Sequence, residues 1–288
     1  MMIDPVDNTL FPWWESLAPA AGAVKKILAQ NPSSKLDAFL VLGSGMGDVI
    51  KRWTPLATWQ PGELPGAPVS TVSGHAGAFH LLEVGGKRVL VQQGRVHLYE
   101  EGDLDNVLFM TRLAYRLGAR WLLLTNAAGG IDPRLEAGML VILEDQISLF
   151  MGRGFGWSPS RLTPPRTTYP IGSPFHPGWV KRLTLLAREL KIPAQKGVLA
   201  GGLGPNYETA AEVNAWRQAG AHAATMSTVM EAFEGRGLGL LVGGISFISN
   251  MATGLSKADL THEEVIALGR RAARSIGELL EKALIEGP

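Results

Sequence analysis

Apolar runs of strand length alternate along the chain with stretches of helical periodicity. The strand-like runs are "LDAFLVLG", "HLLEV" and "RVLVQQG" joined by Gly85-Gly86, "RWLLLTN", "MLVILEDQISL" and "LLVGGISFISN". The helical stretches are "LDNVLFMTRLAYRLGA", "GWVKRLTLLAREL", "TAAEVNAWRQAGA" and a long terminal one from "THEEVIALGRRAARS". This order predicts an α/β fold with a mixed, mainly parallel central β-sheet flanked by helices.

The same patterns predict one domain over residues 1–288, beginning with an N-terminal helical segment at 1–35. Residues 152–177, "GRGFGWSPSRLTPPRTTYPIGSPFHP", are rich in Gly, Pro, Ser and Thr and have no apolar period. We therefore expect a long loop there, and loops of that length in compact domains are usually functional or disordered. Two helix starts carry the capping-box spacing, namely Thr209 with Glu212 and Thr261 with Glu264.

Composition narrows the classes of partner and compartment. The 288 residues include 27 Lys plus Arg against 26 Asp plus Glu, a formal charge of +1. No global field therefore favours nucleic acid or an anionic membrane, and a small molecule is the expected partner. The chain has no cysteine, its first residues lack a signal pattern, and no apolar run approaches a membrane span. We expect a cytoplasmic protein without disulfides.

The turn "VLGSGMGD" follows the first strand-like run and has the character of a phosphate site. Its glycines at 43, 45 and 47 let successive backbone N–H groups point at an anion. A dinucleotide-binding fingerprint requires glycine where this chain has Asp48, and the Gly-Lys-Ser/Thr of a P-loop is missing. The turn predicts an anion site without naming its ligand.

Polar residues recur where the apolar strands end. Ligands of open α/β sheets bind beyond the carboxyl ends of the strands, so these residues are expected to converge on one crevice. Period two also predicts one strand face carrying Arg95, His97 and Tyr99. Taken singly, each has a plainer explanation: Ser44 as a turn residue, Arg95 as a solvated strand-end charge. The strand-end set is Ser44, Arg95, His97, Asn126, Ser227 and Asn250.

The residue patterns also exclude two kinds of site. No histidines have the H-E-x-x-H spacing and there is no cysteine, so no metal site is expected. No Gly-x-Ser-x-Gly elbow is present to carry a nucleophilic serine. The residues alone predict an α/β enzyme that binds an anion together with a polar small molecule.

Eight stretches in order make the chain resemble the trimeric purine nucleoside phosphorylases from about residue 36 to 283. They are "LGSGMG", "GHAG", "QGRVHLYE", "TNAAGG", "LGPNYETAAE", "MSTVMEA", "SNMATG" and "HEEV". The resemblance implies phosphate-dependent cleavage of the N-glycosidic bond of 6-oxopurine ribo- or deoxyribonucleosides, giving free base and pentose 1-phosphate. It also implies a homotrimer, no cofactor, and inorganic phosphate as the co-substrate at the Gly-rich turn.

The resemblance assigns roles residue by residue. Because glycosidic cleavage passes through an oxocarbenium-like state, positive charge develops on the sugar and negative charge on the base. The implied phosphate contacts are Ser44, His75, Arg95, the backbone N–H of Ala127, and Ser227, with His97 and Glu100 as a pair that orients this side. The implied nucleoside contacts are Asn250 at N7 and the 6-oxo group, Glu208 at N1–H, Tyr207 against the base, Met226 under the ribose, Tyr99 and His262 at hydroxyls, and Tyr169 from a neighbouring subunit. Asn250, Glu208 and His97 are the implied catalytic residues.

The chain departs from the family pattern at three positions, and three further functions stay open. Thr225 and Met230 stand where Gly and Pro are common, and His222 replaces a common Asp. A methylthioadenosine phosphorylase of the same fold would need an acceptor at 250 and an apolar residue at 262. A non-catalytic purine-binding module and a nicotinamide-dependent oxidoreductase are also compatible with an α/β scaffold, since fold alone does not determine function.

Overall fold

The computed structural model describes residues 11, 13–30, 35–72, 76–148, 172–255 and 262–288, without the side chains of 262–271. One nine-stranded sheet has the order β2-β3-β4-β1-β5-β8-β7-β6-β9. Its strands are β1 (Ala38–Leu42), β2 (Ala57–Trp59), β3 (Ala78–Val84), β4 (Lys87–Gln93), β5 (Trp121–Gly130), β6 (Leu140–Ser148), β7 (Ala194–Gly201), β8 (Ala223–Thr225) and β9 (Leu241–Met251).

The sheet is mixed, with parallel pairing in the majority, as the sequence predicts. Strand β1 pairs in parallel with β4 and β5, and β5 pairs in parallel with β9. The β3–β4 hairpin is antiparallel, as are the pairings of β5 with β8 and of β6 with β9. Because β5 contacts both β8 and β9 while β6 contacts both β7 and β9, these five strands close into a ring.

Helices cover both faces of the sheet, and strand β1 shows why. All five β1 residues are buried, with Phe39 and Val41 in one apolar cluster and Leu40 and Leu42 in the other. Alternate side chains of a strand point to opposite faces, so such a strand needs cover on both. Helices α1 (Ala18–Leu28), α3 (Leu104–Arg116) and α6 (Val229–Gly237) cover the first face, and α4 (Pro177–Glu189) and α7 (His262–Glu286) cover the second.

Most predicted elements are confirmed, and one local expectation is wrong. The helical stretches correspond to α3, α4, α5 (Ala210–Gln218) and α7, and the Thr209–Glu212 capping box begins α5. Thr261 lies outside the described residues. The predicted strand face with Arg95, His97 and Tyr99 does not exist, because β4 ends at Gln93 and Tyr99 lies in the short helix α2 (Leu98–Glu101).

Three further observations concern the predicted loop, membrane crossing and the number of sheets. Of the segment predicted as a long loop, residues 152–171 lie outside the described residues, which resume at residue 172 before α4. No helix within the described ranges combines the length and the apolar content that crossing a membrane requires. The strands that the structure describes between residues 38 and 251 all belong to one sheet.

Candidate active site

A cavity of about 500 Å³ opens at the carboxyl ends of β1, β4, β5, β8 and β9. This volume is typical of small-molecule sites, and its place in the fold is the one expected for α/β sheets. Three predicted residues cannot be placed: His75 and Tyr169 lie outside the described residues, and the side chain of His262 is not described. The predicted residues that line the cavity are Ser44, Arg95, His97, Tyr99, Asn126, Ala127, Tyr207, Glu208, Met226, Ser227 and Asn250.

The Gly-rich turn between β1 and the following 3-10 helix (Gly47–Arg52) is held from two sides. A Cβ on Gly43 would lie 2.6 Å from the Thr125 carbonyl oxygen, so no other residue fits there. The Gly43 N–H donates to Thr125 Oγ1 at 3.1 Å. From the other side, Gln93 Nε2 donates to the Gly47 carbonyl at 2.9 Å. The turn therefore has a fixed position at the edge of the cavity.

Arg95 is a buried cation, only 3% exposed, so the interpretation as a solvated strand-end charge is wrong. Its Nη1 donates to Ser227 Oγ at 3.2 Å, Thr228 Oγ1 at 2.8 Å and Glu231 Oε2 at 3.2 Å. Its Nη2 donates to the Thr125 carbonyl. Burial lowers the pKa of Arg95, and the Glu231 carboxylate opposes that shift. Ser227, Thr228, Glu231 and Thr125 thus all help to hold the guanidinium at the cavity wall.

Next to Arg95, the hydroxyl groups of Thr228, Ser227 and Thr225 lie within hydrogen-bond distance of one another in a row. Thr228 Oγ1 accepts from Arg95 and from Asn126 Nδ2 at 2.9 Å, which occupies both of its lone pairs. Its own proton then points to Ser227 Oγ at 3.2 Å. Since Ser227 accepts from Arg95 as well, its proton must point to Thr225 Oγ1, 3.3 Å away, or into the cavity. The row therefore offers an anion one hydroxyl donor, Ser227, beside the Arg95 guanidinium.

Helix α6 begins at this row through an uncommon backbone conformation. Thr228 has φ +72°, which is rare for a residue with a branched side chain. The Glu231 carboxylate accepts from the Thr228 N–H at 2.7 Å and from Arg95. Glu231 is itself buried, at 3% exposed. One carboxylate therefore fixes both the turn that carries Ser227 and the buried arginine.

His97 also lines the cavity and is held by Glu100. Glu100 Oε1 accepts from the backbone N–H of His97 at 2.7 Å and lies 3.0 Å from its Nδ1. The other oxygen, Oε2, accepts from the backbone and hydroxyl of Thr71. Burial by itself raises the pKa of Glu100, but the hydrogen bonds from Thr71 and His97 outweigh it, so the pKa lies below its usual value. A charged carboxylate thus orients the imidazole.

The lining also contains the rings of Tyr99 and Tyr207 and the side chains that the resemblance assigns to the base, Glu208 and Asn250. The His97 and Tyr99 rings stack with centroids 4.9 Å apart, whereas Tyr207 is 81% exposed. Burial, with repulsion from Glu212, raises the pKa of Glu208. The Asn250 amide donates to the Met251 carbonyl at 3.0 Å, and its oxygen accepts from Ser249 at 2.7 Å. A ligand that bonds the Asn250 amide would replace these two local hydrogen bonds.

Sequence reasoning missed two residues of the wall, Thr228 and Glu231. Their signal was present, because Thr228-x-x-Glu231 has the same capping-box spacing as Thr209-x-x-Glu212. The lining also includes Val72, for which the sequence offers no pattern, and Ser249 and residues 251–254, which lie in the stretch "SNMATG" without an individual role assigned to them.

Comparison with known proteins identifies the family of the chain. A family model described as phosphorylase superfamily matches residues 40–285. Purine nucleoside phosphorylase 1 of Bacillus subtilis is 35% identical over 92% of this chain and 96% of its own, and purine nucleoside phosphorylase of Mycobacterium tuberculosis is 37% identical over 91% and 93%. The structure of Schistosoma mansoni purine nucleoside phosphorylase in complex with inosine has a TM-score of 0.82 and 25% identity, covering 99% of both chains. The chain belongs to the purine nucleoside phosphorylase family.

Proposed function

We propose that this chain is a pentosyltransferase that cleaves the N-glycosidic bond of 6-oxopurine ribo- and deoxyribonucleosides with inorganic phosphate. The products are the free base and the pentose 1-phosphate. One observation carries the proposal: Arg95 and Ser227, which are bonded to the buried hydroxyl of Thr228, line the same cavity as Glu208 and Asn250. An anion and a polar heterocycle therefore fit into the same space. The purine nucleoside phosphorylase names of its relatives support the same reaction.

On the phosphate side, the wall supplies positive charge and oriented donors. Arg95 is buried, so its hydrogen bonds to an anion are stronger than they would be in water. Ser227 lines the cavity and can turn its proton from Thr225 toward a ligand, and Ser44 with the Ala127 backbone also line the cavity. A phosphate oxygen forms a bond to C1′ while the C1′–N9 bond breaks, and the phosphate charge stabilises the sugar cation.

On the base side, the proposal gives Glu208 and Asn250 separate tasks. The electron pair of the breaking bond moves into the purine ring, and hydrogen bonds to the ring stabilise that charge. An asparagine amide both donates and accepts, so it suits N7 together with a 6-oxo group. A Glu208 carboxylate accepts from N1–H. Since burial raises its pKa, nucleoside binding should weaken at a less acidic pH than a carboxylate with an ordinary pKa would give.

We place the sugar between the phosphate contacts and the base contacts. Met226 and Tyr99 line the cavity beside the donor wall, and His97 is oriented by Glu100. We assign Met226 to the ribose face and Tyr99 to a ribose hydroxyl. Tyr207, 81% exposed at the lining, would pack against the base. His262 at the 5′ end, His75 at the phosphate and Tyr169 from a neighbouring subunit stay predictions.

The decisive assay measures base release from a panel of nucleosides with and without phosphate. We expect hypoxanthine from inosine only when phosphate is present, with guanosine and deoxyinosine also cleaved. The activity should survive a chelator, since the proposal uses no metal and no organic cofactor. Cleavage without phosphate would contradict the phosphorylase assignment, and a preference for methylthioadenosine would favour the related phosphorylase of that substrate. Binding of purine without any cleavage would indicate a non-catalytic module.

Substitution at Asn250 tests how the base is recognised. Asn250→Asp replaces an amide that can donate with a carboxylate that only accepts, so it should repel a 6-oxo oxygen and favour a 6-amino group. The inosine-to-adenosine ratio of kcat/KM should therefore fall. A ratio that stays constant would show that Asn250 does not contact the 6-position.

We also propose a homotrimer and a cytoplasmic location. The trimer rests on the family resemblance, and the exposed ring of Tyr207 beside the cavity supports a neighbouring surface there. Sedimentation should give three times the mass of the chain, and a fully active monomer would contradict the proposal. Cell fractionation tests the location.

A further inference from the structure

Glu231 forms an ion pair with Arg95, the same guanidinium that the proposed phosphate would contact. Its Oε2 is 3.2 Å from Arg95 Nη1, and both side chains are almost fully buried, at 4% and 3% exposed. Two opposite charges that are buried together neutralise each other. We call Arg95 with the hydroxyls of Ser227 and Thr228 the phosphate wall. A negatively charged side chain, Glu231, is therefore bonded to this wall without lining the cavity itself.

We infer that Glu231 is a positioning residue that holds Arg95 in place when no phosphate is bound and, by its charge, weakens phosphate binding. The inference rests on the proposed function. An incoming phosphate approaches Arg95 while Glu231 remains bonded to it, so the two anions repel each other across one guanidinium. At an effective dielectric of about 20, charges a few ångströms apart change a binding constant by tenfold or more.

Helix capping alone does not explain this arrangement. The box at α5 has the same spacing, yet among the described residues its Glu212 bonds only to Thr209 and stands at the exposed surface. At α6 the corresponding carboxylate is buried and also bonds an arginine from a strand end 136 residues away. Capping requires neither the burial nor the arginine. The additional contact couples the start of α6 to the phosphate wall.

Glu231→Gln keeps the size and a carbonyl acceptor but removes the charge. We expect this variant to bind phosphate at least about tenfold more tightly by calorimetry, with a nucleoside KM within about twofold of the unsubstituted protein. Glu231→Asp keeps the charge, so its Kd for phosphate should stay within about threefold. Glu234→Gln, one turn along the same helix, removes a buried charge whose partner is Arg112, away from the cavity wall, and serves as the matched control.

The outcomes separate this inference from the proposed function. Failure of the unsubstituted protein to bind or use phosphate would contradict the proposed function itself. If the unsubstituted protein does bind phosphate, two results would overturn the role of the charge. One is a phosphate Kd in Glu231→Gln that is unchanged or higher, and the other is a fall in Kd no larger than the fall in Glu234→Gln. Should Glu231→Gln be unstable alone, saturating phosphate must raise its Tm more than that of the unsubstituted protein, and an equal or smaller rise would also overturn it.

Discussion

Helix α6 carries two buried glutamates one turn apart, and each is paired with a buried arginine from elsewhere in the chain. Glu231 bonds Arg95 at the cavity wall, and Glu234 bonds Arg112 of α3 at 2.7 Å. The two arginines are 3% and 1% exposed. The pairs are alike in residue type and burial, so any difference in their roles must come from the remaining neighbours of each arginine.

Those neighbours differ in charge. Arg112 also donates to Asp105 at 2.7 Å, and its guanidinium lies over the Trp13 ring at 5.0 Å. Besides Glu231, Arg95 bonds two hydroxyls and a carbonyl, which are neutral. Two carboxylates exceed the single charge of Arg112, so an anion would meet excess negative charge there, whereas the one carboxylate described at Arg95 only balances its guanidinium. We therefore interpret the Arg112 pair as structural and the Arg95 pair as functional.

The structural pair also carries an electrostatic penalty. Burial raises the pKa of Glu234 to about 7, although Arg112 acts in the opposite direction. Among the described residues, its second oxygen has no hydrogen-bond partner. The penalty identifies Glu234 as a group whose ionisation opposes folding near neutral pH.

The largest effect is expected when Arg112 is removed. Arg112→Met leaves Glu234 buried without its partner, and loss of one member of a buried pair typically costs about 3–5 kcal/mol of unfolding free energy. Denaturant unfolding at pH 8 should show this loss, while the KM for phosphate of the folded variant stays within about twofold. Adding Glu234→Gln should restore at least half of the loss. A phosphate KM that rises with the instability would break the comparison, because Arg112 would then belong to the phosphate wall.

The next effect concerns pH. The folded pKa of Glu234 lies above its unfolded value, so the folded state holds the extra proton and stability falls as pH rises from about 4.5 to about 7. By linkage the loss reaches about 3 kcal/mol. Glu234→Gln cannot titrate, so the difference in unfolding free energy between variant and unsubstituted protein should grow in favour of the variant across that window. A difference independent of pH would show that Glu234 has an ordinary pKa.

The sequence predicts the long elements of this fold well because their patterns are local. Helix α3 spans 13 residues and β9 spans 11, enough for a period to be visible. The four-residue helix α2 and the three-residue strand β8 are too short to show one, which is why Tyr99 was predicted on a strand.

The candidate site likewise has parts that the sequence predicts and parts that it does not. Residues at strand ends and in the Gly-rich turn could be predicted, because chain geometry brings strand ends together. The Arg95–Glu231 pair joins residues 136 apart, and no local pattern says which buried arginine will contact which glutamate. The capping box determines where α6 begins, but only the tertiary fold determines what its carboxylate also holds.

Removing Arg95 tests the functional pair. Arg95→Ala deletes charge-assisted hydrogen bonds worth about 1.5–3 kcal/mol each, so the KM for phosphate should rise about tenfold or more. The nucleoside KM should change less, since the base contacts stay in place. Steady-state kinetics with each substrate varied separately measure both constants. An unchanged phosphate KM and turnover would make Arg95 a structural residue like Arg112.

The smallest expected effect lies at the end of the hydroxyl row. Thr225 Oγ1 is 3.3 Å from Ser227 Oγ and donates to the Ala127 carbonyl at 3.5 Å, both long for hydrogen bonds. In the row, Thr225 is the acceptor that competes with a phosphate oxygen for the Ser227 proton. Thr225→Val keeps the shape and removes that competitor, so the phosphate KM should fall about two- to threefold, the equivalent of a weak hydrogen bond. Ser227→Ala removes the donor itself and should raise it. If Thr225→Val raises the phosphate KM instead, the threonine orients Ser227 toward the ligand, and the neutral partners of Arg95 are fixed parts of the wall, not exchangeable ones.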